Sequence, residues 1–363
     1  MQILVDFQIF FMQRFGGISR YHSNVHQYIN SEQSVHHSTI LNLGCNNAYV
    51  ESQFKGLKRL QRKGTFRLLN FINRQATQYE INKFDVFHPT YYDPYFLSFK
   101  KLPPFVVTIH DMIPEHYFKE TKKELIESKK KIVSAASAVI AISEATKNEM
   151  IKIYDIDPDL IHVIYHGYTD FDTTSLSDAG EQKLNRDEPY ILFIGHRDFY
   201  KNFTYFIKTA ALFLKKNNIR LNIIGFPASP EETLLINELG LNNLVVFLQH
   251  VSESELYHYY NKALCFVFPS IAEGFGIPLL ESFSSRCPVI CSDIPIFREI
   301  GGDAAMYFQL DDENSLVNCL ESVLNDGKFR ETLINRGISR YKMFQWKENA
   351  MKTLDAYKFA LGN

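Results

Sequence analysis

The stretch LCFVFPSIAEGFGIPLLESF, residues 264–283, carries the pattern on which the fold turns. An apolar run, 264–268, reads as a buried strand, and Pro269 closes it. Gly274 and Gly276 permit backbone angles closed to other residues and leave room for a ligand. Pro278 suits the first turn of a helix, where its missing N–H costs nothing, so the helix is expected over 277–286. Two carboxylates, Glu273 and Glu281, bracket this glycine loop and helix start.

Strand followed by helix recurs outward from there. Short β-branched or aromatic runs stand at 2–5, 39–43, 86–88, 105–109, 138–142 and 161–165, and a second series at 191–195, 221–225, 245–248, 265–268 and 289–292. Helical patterns fall between them, at 203–216, 230–239 and 252–262 among others. Such alternation gives an α/β fold: parallel sheets with helices on both faces. Between the two series, DFDTTSLSDAGEQKLNRDEP (170–189) is polar, turn-rich and without apolar period, as a linker should be. The expected division is a domain at 1–170, a linker at 171–189, a second domain at 190–344 and a terminal helix at 345–363. Each domain is expected to be doubly wound, binding ligands at the carboxyl ends of its strands. Two of them facing one another would form a deep cleft.

Bulk composition excludes several classes. A chain of 363 residues is too long for one ordinary core. Hydrophobic residues at 45% and charged ones at 22% are those of a globular protein, and a net charge of −2 gives no basic field for nucleic acid. Five cysteines without a CxxC pair read as free thiols in a reducing compartment, Cys287 and Cys291 as core residues. No apolar stretch has the length of a membrane span, and the apolar start MQILVDFQIFFMQRFGG lacks a basic leader and reads as a first strand and loop.

The chemistry concentrates in four places. The N–H groups of the first turn after Gly276 favour an anion, and carboxylates accept hydrogen bonds from vicinal hydroxyls. Glu273 and Glu281 on either side of an anion site therefore suit a nucleotide sugar, with its sugar, diphosphate and ribose; the bland reading is an ordinary helix acid and an exposed glutamate. In FIGHRDFYKNF, 193–203, Arg197 and Lys201 follow a strand that ends at Gly195, a sensible pair for a diphosphate or else a solvated basic turn. In VTIHDMIPE, 107–115, His110 and Asp111 follow an apolar strand, where a His–Asp pair positions a sugar, handles a proton or merely satisfies a loop carbonyl. In RFGGISRY, 14–21, Gly16 and Gly17 would let the backbone meet a phosphate, although the pattern is not GxGxxG.

These motifs, GHRDFYKN, SIAEGFGIPLLE and GGISRY, resemble the retaining glycosyltransferases of family 4, which have the GT-B fold of two Rossmann-like domains. GGISRY and IHDMIP resemble bacterial enzymes that extend O-antigen and related surface polysaccharides, mannosyltransferases among them. The resemblance implies that Glu273 holds donor-sugar hydroxyls, Glu281 the ribose, and Arg197 and Lys201 the diphosphate, helped by backbone N–H groups around Phe275, Gly276, Ile277 and Leu279 and by Gly16 and Gly17. It also implies that His110 meets the transferred sugar, that no metal or other cofactor is needed, and that the terminal helix returns to the first domain. Many relatives have Gly directly after the Lys, whereas this chain has Asn202. The implied activity is transfer of a hexose, from GDP-mannose by preference, to a glycan or lipid-linked glycan, in the cytoplasm at the inner face of the membrane. A sugar phosphorylase, a nucleotide-sugar epimerase and a binding subunit without turnover are the rival readings.

The acceptor side is less legible. FKGLKRLQRKGTFRLLNFINR, 54–74, holds seven Lys or Arg and no acid among Phe54, Leu57, Leu60, Phe66, Leu69 and Phe71. It fits peripheral contact with an anionic lipid surface. It fits equally a helix with its apolar face on the first domain and its basic face in water.

Overall fold

The computed structural model describes residues 1–32, 35–58, 65–171 and 188–362. Among them twelve strands form, and every pairing is parallel. The chain divides into two units, Met1–Gly167 with Phe344–Asn363, and Tyr168–Met343. Most of the linker expected at 171–189 lies outside the described residues.

In the first unit, β1 (Gln2–Val5) pairs with β2 (His37–Ile40) and β3 (Val86–His88), and β4 (Val106–Ile109), β5 (Ala138–Ala141) and β6 (Ile161–Val163) pair in sequence. One parallel bridge, Phe87 to Phe105, joins the two triplets, so the lateral order is β2-β1-β3-β4-β5-β6. Every residue of β4 and β5 is buried, as in a sheet covered on both faces. Helix Gly17–Glu32 covers one face, and helix Trp346–Ala360 packs on it and on β5. Trp346, Ala350, Leu354 and Tyr357 supply the buried stripe of that last helix.

In the second unit, β7 (Tyr190–Ile194), β8 (Arg220–Ile224), β9 (Val245–Leu248), β10 (Cys265–Phe268), β11 (Val289–Ser292) and β12 (Ala305–Phe308) form one sheet in the order β12-β11-β10-β7-β8-β9. The chain starts at the centre, runs out through β8 and β9, then returns to the other side of β7. Both units are thus doubly wound. Helix Phe203–Asn217 buries Phe203, Phe206, Ile207, Ala210, Phe213 and Leu214, an apolar stripe at helical spacing. All five cysteines are buried, and none forms a disulfide among the described residues.

Several boundaries differ from the sequence reading. The strand expected at 39–43 forms at His37–Ile40, because its register is set by β1, where Gln2 faces His37. β7 and β8 begin one residue early, and Gly195, at φ +115°, falls outside β7. The helix expected over 277–286 ends at Ser284, with Arg286 in the left-handed region at φ 59°. β12 was not expected at all; it is a four-residue edge strand with a half-exposed centre, too short to stand out as an apolar run.

Trp346 covers Gly167 so closely that an added Cβ would stand 2.5 Å from the Trp346 Cα. Gly167→Ala should therefore lower stability by roughly 1–3 kcal/mol through overpacking. An unchanged urea midpoint would show that the terminal helix shifts aside without cost.

Candidate active site

Where strand order reverses, segments leaving adjacent strands part company and open a crevice at the strands' carboxyl ends. In the second unit this place lies between β7 and β10. The segment after β7 holds Arg197 and Lys201, and the segment after β10 holds Glu273 and the start of helix Ile277–Ser284. Two bonds tie the segments down. The Ile271 N–H donates to the Tyr200 carbonyl at 2.8 Å, and the Ser292 hydroxyl at the end of β11 donates to the Ser270 carbonyl.

Lys201 and Glu273 meet directly, Nζ to Oε1 at 2.5 Å, with side chains only 16% and 11% exposed. The Ser270 hydroxyl donates to the same Glu273 oxygen at 2.8 Å. Asn202 follows Lys201 at φ 56° and ψ 32°, joining a short 3-10 turn, Phe199–Lys201, to helix Phe203–Asn217. Glycine and asparagine are the residues that adopt this left-handed conformation readily, so Asn202 suits the position.

Arg197 is turned differently. Its Nε and Nη2 hold Glu232 at 2.6 and 3.0 Å, and Nη2 also donates to the Pro227 carbonyl at 2.7 Å. Its Nη1 is buried without a hydrogen bond, and the guanidinium lies over the Phe247 ring at 5.1 Å. Glu232 also accepts from the Ser229 N–H at 2.8 Å, closing the capping box of helix Pro230–Glu238. His196, next to Arg197, is exposed and packs its ring on Phe226 at 4.9 Å.

Gly276 stands at φ +91° as the N-cap of helix Ile277–Ser284, and no side chain caps that end. Phe275 and Leu279 are buried, and Ile277 is half-buried, so what these residues can offer a ligand there is backbone. Glu281 lies one turn into the helix and accepts a hydrogen bond from the Tyr260 hydroxyl at 3.0 Å. Tyr260 is fully buried; burial first, then the Glu281 charge, pushes its pKa well up, so it remains a donor.

The other expected residues belong to the first unit. His110 follows β4, and its backbone N–H donates to the Tyr92 hydroxyl at 3.2 Å. Its ring packs edge-on against Tyr21 at 5.1 Å, and its Nε2 is buried without a partner. Burial, then His166, His88 and Lys129, push its pKa well down, so the imidazole is neutral. Asp111 does not pair with it: the carboxylate accepts from the Ile113 N–H at 3.1 Å, and the Asp111 carbonyl accepts from buried Lys129 at 2.6 Å. Gly16 accepts from the Ser19 hydroxyl and Gly17 begins helix Gly17–Glu32, with open space where its side chain would be.

The structure thus gathers Arg197, Lys201, Glu273 and the 275–281 segment at the carboxyl edge of one sheet, with Gly16, Gly17 and His110 in the other unit. Sequence reasoning missed Ser270, Tyr260 and Glu232, which orient the charged groups. Only Glu232 had a local signal, as the third residue after Ser229 in a capping pattern.

Two family models divide the chain: "Glycosyltransferase Family 4" matches residues 16–170 and "Glycosyl transferases group 1" matches residues 177–340. The O-antigen chain mannosyltransferase RfbU of Salmonella typhimurium is 31% identical over 247 residues, 67% of each chain. The O-antigen chain mannosyltransferase B of Escherichia coli is 26% identical over 317 residues, 80% of this chain and 83% of its own. Among solved structures, a sucrose-phosphate synthase from Thermosynechococcus elongatus superposes with a TM-score of 0.76 over 98% of both chains at 19% identity, a likeness of fold.

The Arg197–Glu232 pair carries a stability prediction. Its side chains are 7% and 16% exposed, so removing one partner strands the other in a poorly solvated place. Glu232→Ala, which also loses the capping box, should cost about 3 kcal/mol in chemical denaturation, and Glu232→Gln less. A Glu232→Ala chain as stable as the wild type would mean that solvent serves Arg197 equally well.

Proposed function

The chain belongs to glycosyltransferase family 4, with the GT-B fold, and from that premise we propose that it is a retaining hexosyltransferase that moves mannose from GDP-mannose to a growing, lipid-linked surface polysaccharide. Supporting the choice of sugar are the two relatives named as O-antigen chain mannosyltransferases. The observation that carries the reading is the Lys201–Glu273 pair at the strand-order reversal, beside a helix start that no side chain caps.

In this reading the donor's diphosphate replaces Glu273 as the partner of Lys201, and Glu273 turns to the sugar hydroxyls. Arg197 contributes positive field and braces the loop through Glu232, while Lys201 makes direct contact. Glu281, held by Tyr260, accepts the ribose hydroxyls. Neutral His110 offers a hydrogen bond to the transferred sugar. The bond from the sugar's anomeric carbon to the diphosphate oxygen breaks, and a bond to the acceptor oxygen forms on the same face. The acceptor proton goes to the leaving phosphate, whose developing charge is stabilised by Lys201 and the N–H groups at the helix start. These positive groups take the place of a metal at the diphosphate.

Lys201→Ala should lower turnover about 100-fold, or roughly 3 kcal/mol, with the fold intact. Glu281→Ala should weaken binding of bare GDP, whereas Glu273→Ala should leave it nearly unchanged and impair transfer. A thermal-shift panel of UDP, GDP, ADP and dTDP sugars identifies the donor, since a ligand of the folded state raises its melting point. A wild-type rate in Lys201→Ala at saturating donor would remove the diphosphate assignment.

The proposal of a membrane-borne acceptor rests on a surface of the first unit. On helix Phe66–Glu80 the buried residues are Leu69, Asn73 and Thr77, while Phe66, Leu68 and Phe71 are exposed. Phe66 packs on Phe11 at 4.6 Å, beside exposed Met12 and Phe15, and Arg14 lies over Phe15. The most basic part of the 54–74 stretch, 59–64, lies outside the described residues. Among the described residues no helix is long and apolar enough to cross a membrane. Exposed aromatic and aliphatic groups beside arginines suit peripheral contact with anionic lipid, at the cytoplasmic face of the inner membrane in this reading. The wild type should co-sediment with phosphatidylglycerol vesicles at low salt, and Leu68→Ser with Phe71→Ser should abolish this while GDP binding persists. Wild-type protein that ignores such vesicles would mean that the acceptor is met by other means.

A further inference from the structure

The first unit holds a second cluster that the proposed transfer does not use. His22 and His26 stand one turn apart on helix Gly17–Glu32, and His88 ends β3 opposite them. All three are buried, and their candidate ligand atoms lie within 4.8 Å of one another. The His22 ring meets the His88 ring edge-on at 4.9 Å and stacks parallel to that of His26 at 6.2 Å.

The hydrogen bonding is incomplete in a telling way. Both ring nitrogens of His22 are buried without a partner, as is Nε2 of His26. Buried polar atoms are normally satisfied, and three imidazole nitrogens of this cluster are not. The rings are nevertheless held from outside. His26 Nδ1 is 2.5 Å from the Ser38 hydroxyl, and His88 bonds Tyr357 through Nδ1 at 2.7 Å and Thr108 through Nε2 at 3.0 Å. Outer hydrogen bonds that fix imidazole orientation are the usual setting of metal-binding histidines. Burial, foremost, lowers the pKa of each ring, leaving the neutral form that ligates.

We propose that His22, His26 and His88 bind a divalent transition cation, zinc by preference, which clamps helix Gly17–Glu32 to the end of β3. Three imidazoles with water in the fourth position make a tetrahedral zinc site. Ligand nitrogens there lie about 3.4 Å apart, so closure needs the rings to rotate inward by roughly an ångström. His26 ligates through Nε2, and His88 gives up one of its two hydroxyl partners. The set contains no carboxylate, which disfavours magnesium, manganese and calcium. A surface cavity of about 650 Å³, lined by His26, Ser38, Ser23 and Asn30 among others, adjoins the cluster at His26. The clamp would steady the helix that begins at Gly17 and that also carries Tyr21, the ring against His110.

The test uses the full chain without a histidine tag. Elemental analysis should find about one zinc per chain after gel filtration. Chelator-stripped protein should regain a higher melting temperature with zinc chloride and show visible cobalt(II) bands that zinc displaces. His22→Ala should lose the metal and the melting shift, whereas His166→Gln, a neighbouring histidine outside the set, should keep both. Because His22→Ala can fail to fold, the cobalt titration of the wild type decides by itself. Stripped, folded wild type that shows neither cobalt bands nor a melting shift overturns the proposal, as does a His22→Ala chain that retains the full zinc content.

Discussion

A parallel sheet delivers all its strands to one edge, and a reversal of strand order leaves a gap there that no crossover helix can cover. The second unit depends on this constraint. Because β7 is both the first strand of its sheet and an inner one, the segments after β7 and β10 share an edge yet leave in different directions. Lys201 and Glu273, 72 residues apart, become neighbours for that reason alone. The Ile271 to Tyr200 backbone bond sets the spacing at which they meet.

Charges at such an edge are partly out of water, and an isolated one would be costly. The protein keeps them in pairs: Lys201 with Glu273, Arg197 with Glu232, and Glu281 with a buried tyrosine hydroxyl. The pairs differ in how they are held. Glu273 takes its bonds from two side chains, Lys201 and Ser270, whereas Glu232 also closes a helix cap. A similar arrangement appears in the first unit, where buried Lys129 meets Glu115 at 3.0 Å and Tyr154 donates to the same carboxylate.

The reversal in the first unit, at β1 and β3, is filled rather than open. Asp6, at the end of β1, accepts from the Thr90 N–H and hydroxyl, Gln8 and Tyr95, all within 3.1 Å. Burial raises its pKa against these four bonds, which lower it. The terminal helix then closes the unit by long-range bonds, Tyr357 to His88 and Asn349 to the Tyr165 carbonyl.

The sequence by itself determined the alternation of strand and helix, because buried parallel strands must be continuous apolar runs and their crossovers amphipathic. It determined the place of Gly276 and Pro278 as well, since a positive φ and a helix first turn demand those residue types. Lys201, Glu273 and Glu281 were legible as a set because each stands beside such local punctuation. The edge strand β12 and the register of β2 were not legible, for neighbouring strands decide them. Nor was the fate of Arg197, because a guanidinium in a loop takes whichever carboxylate the fold presents, here Glu232 from a helix 35 residues on. Tyr260 behind Glu281 and the gathering of His22, His26 and His88 were decided by tertiary structure alone, as residues that are distant in sequence leave no shared local pattern.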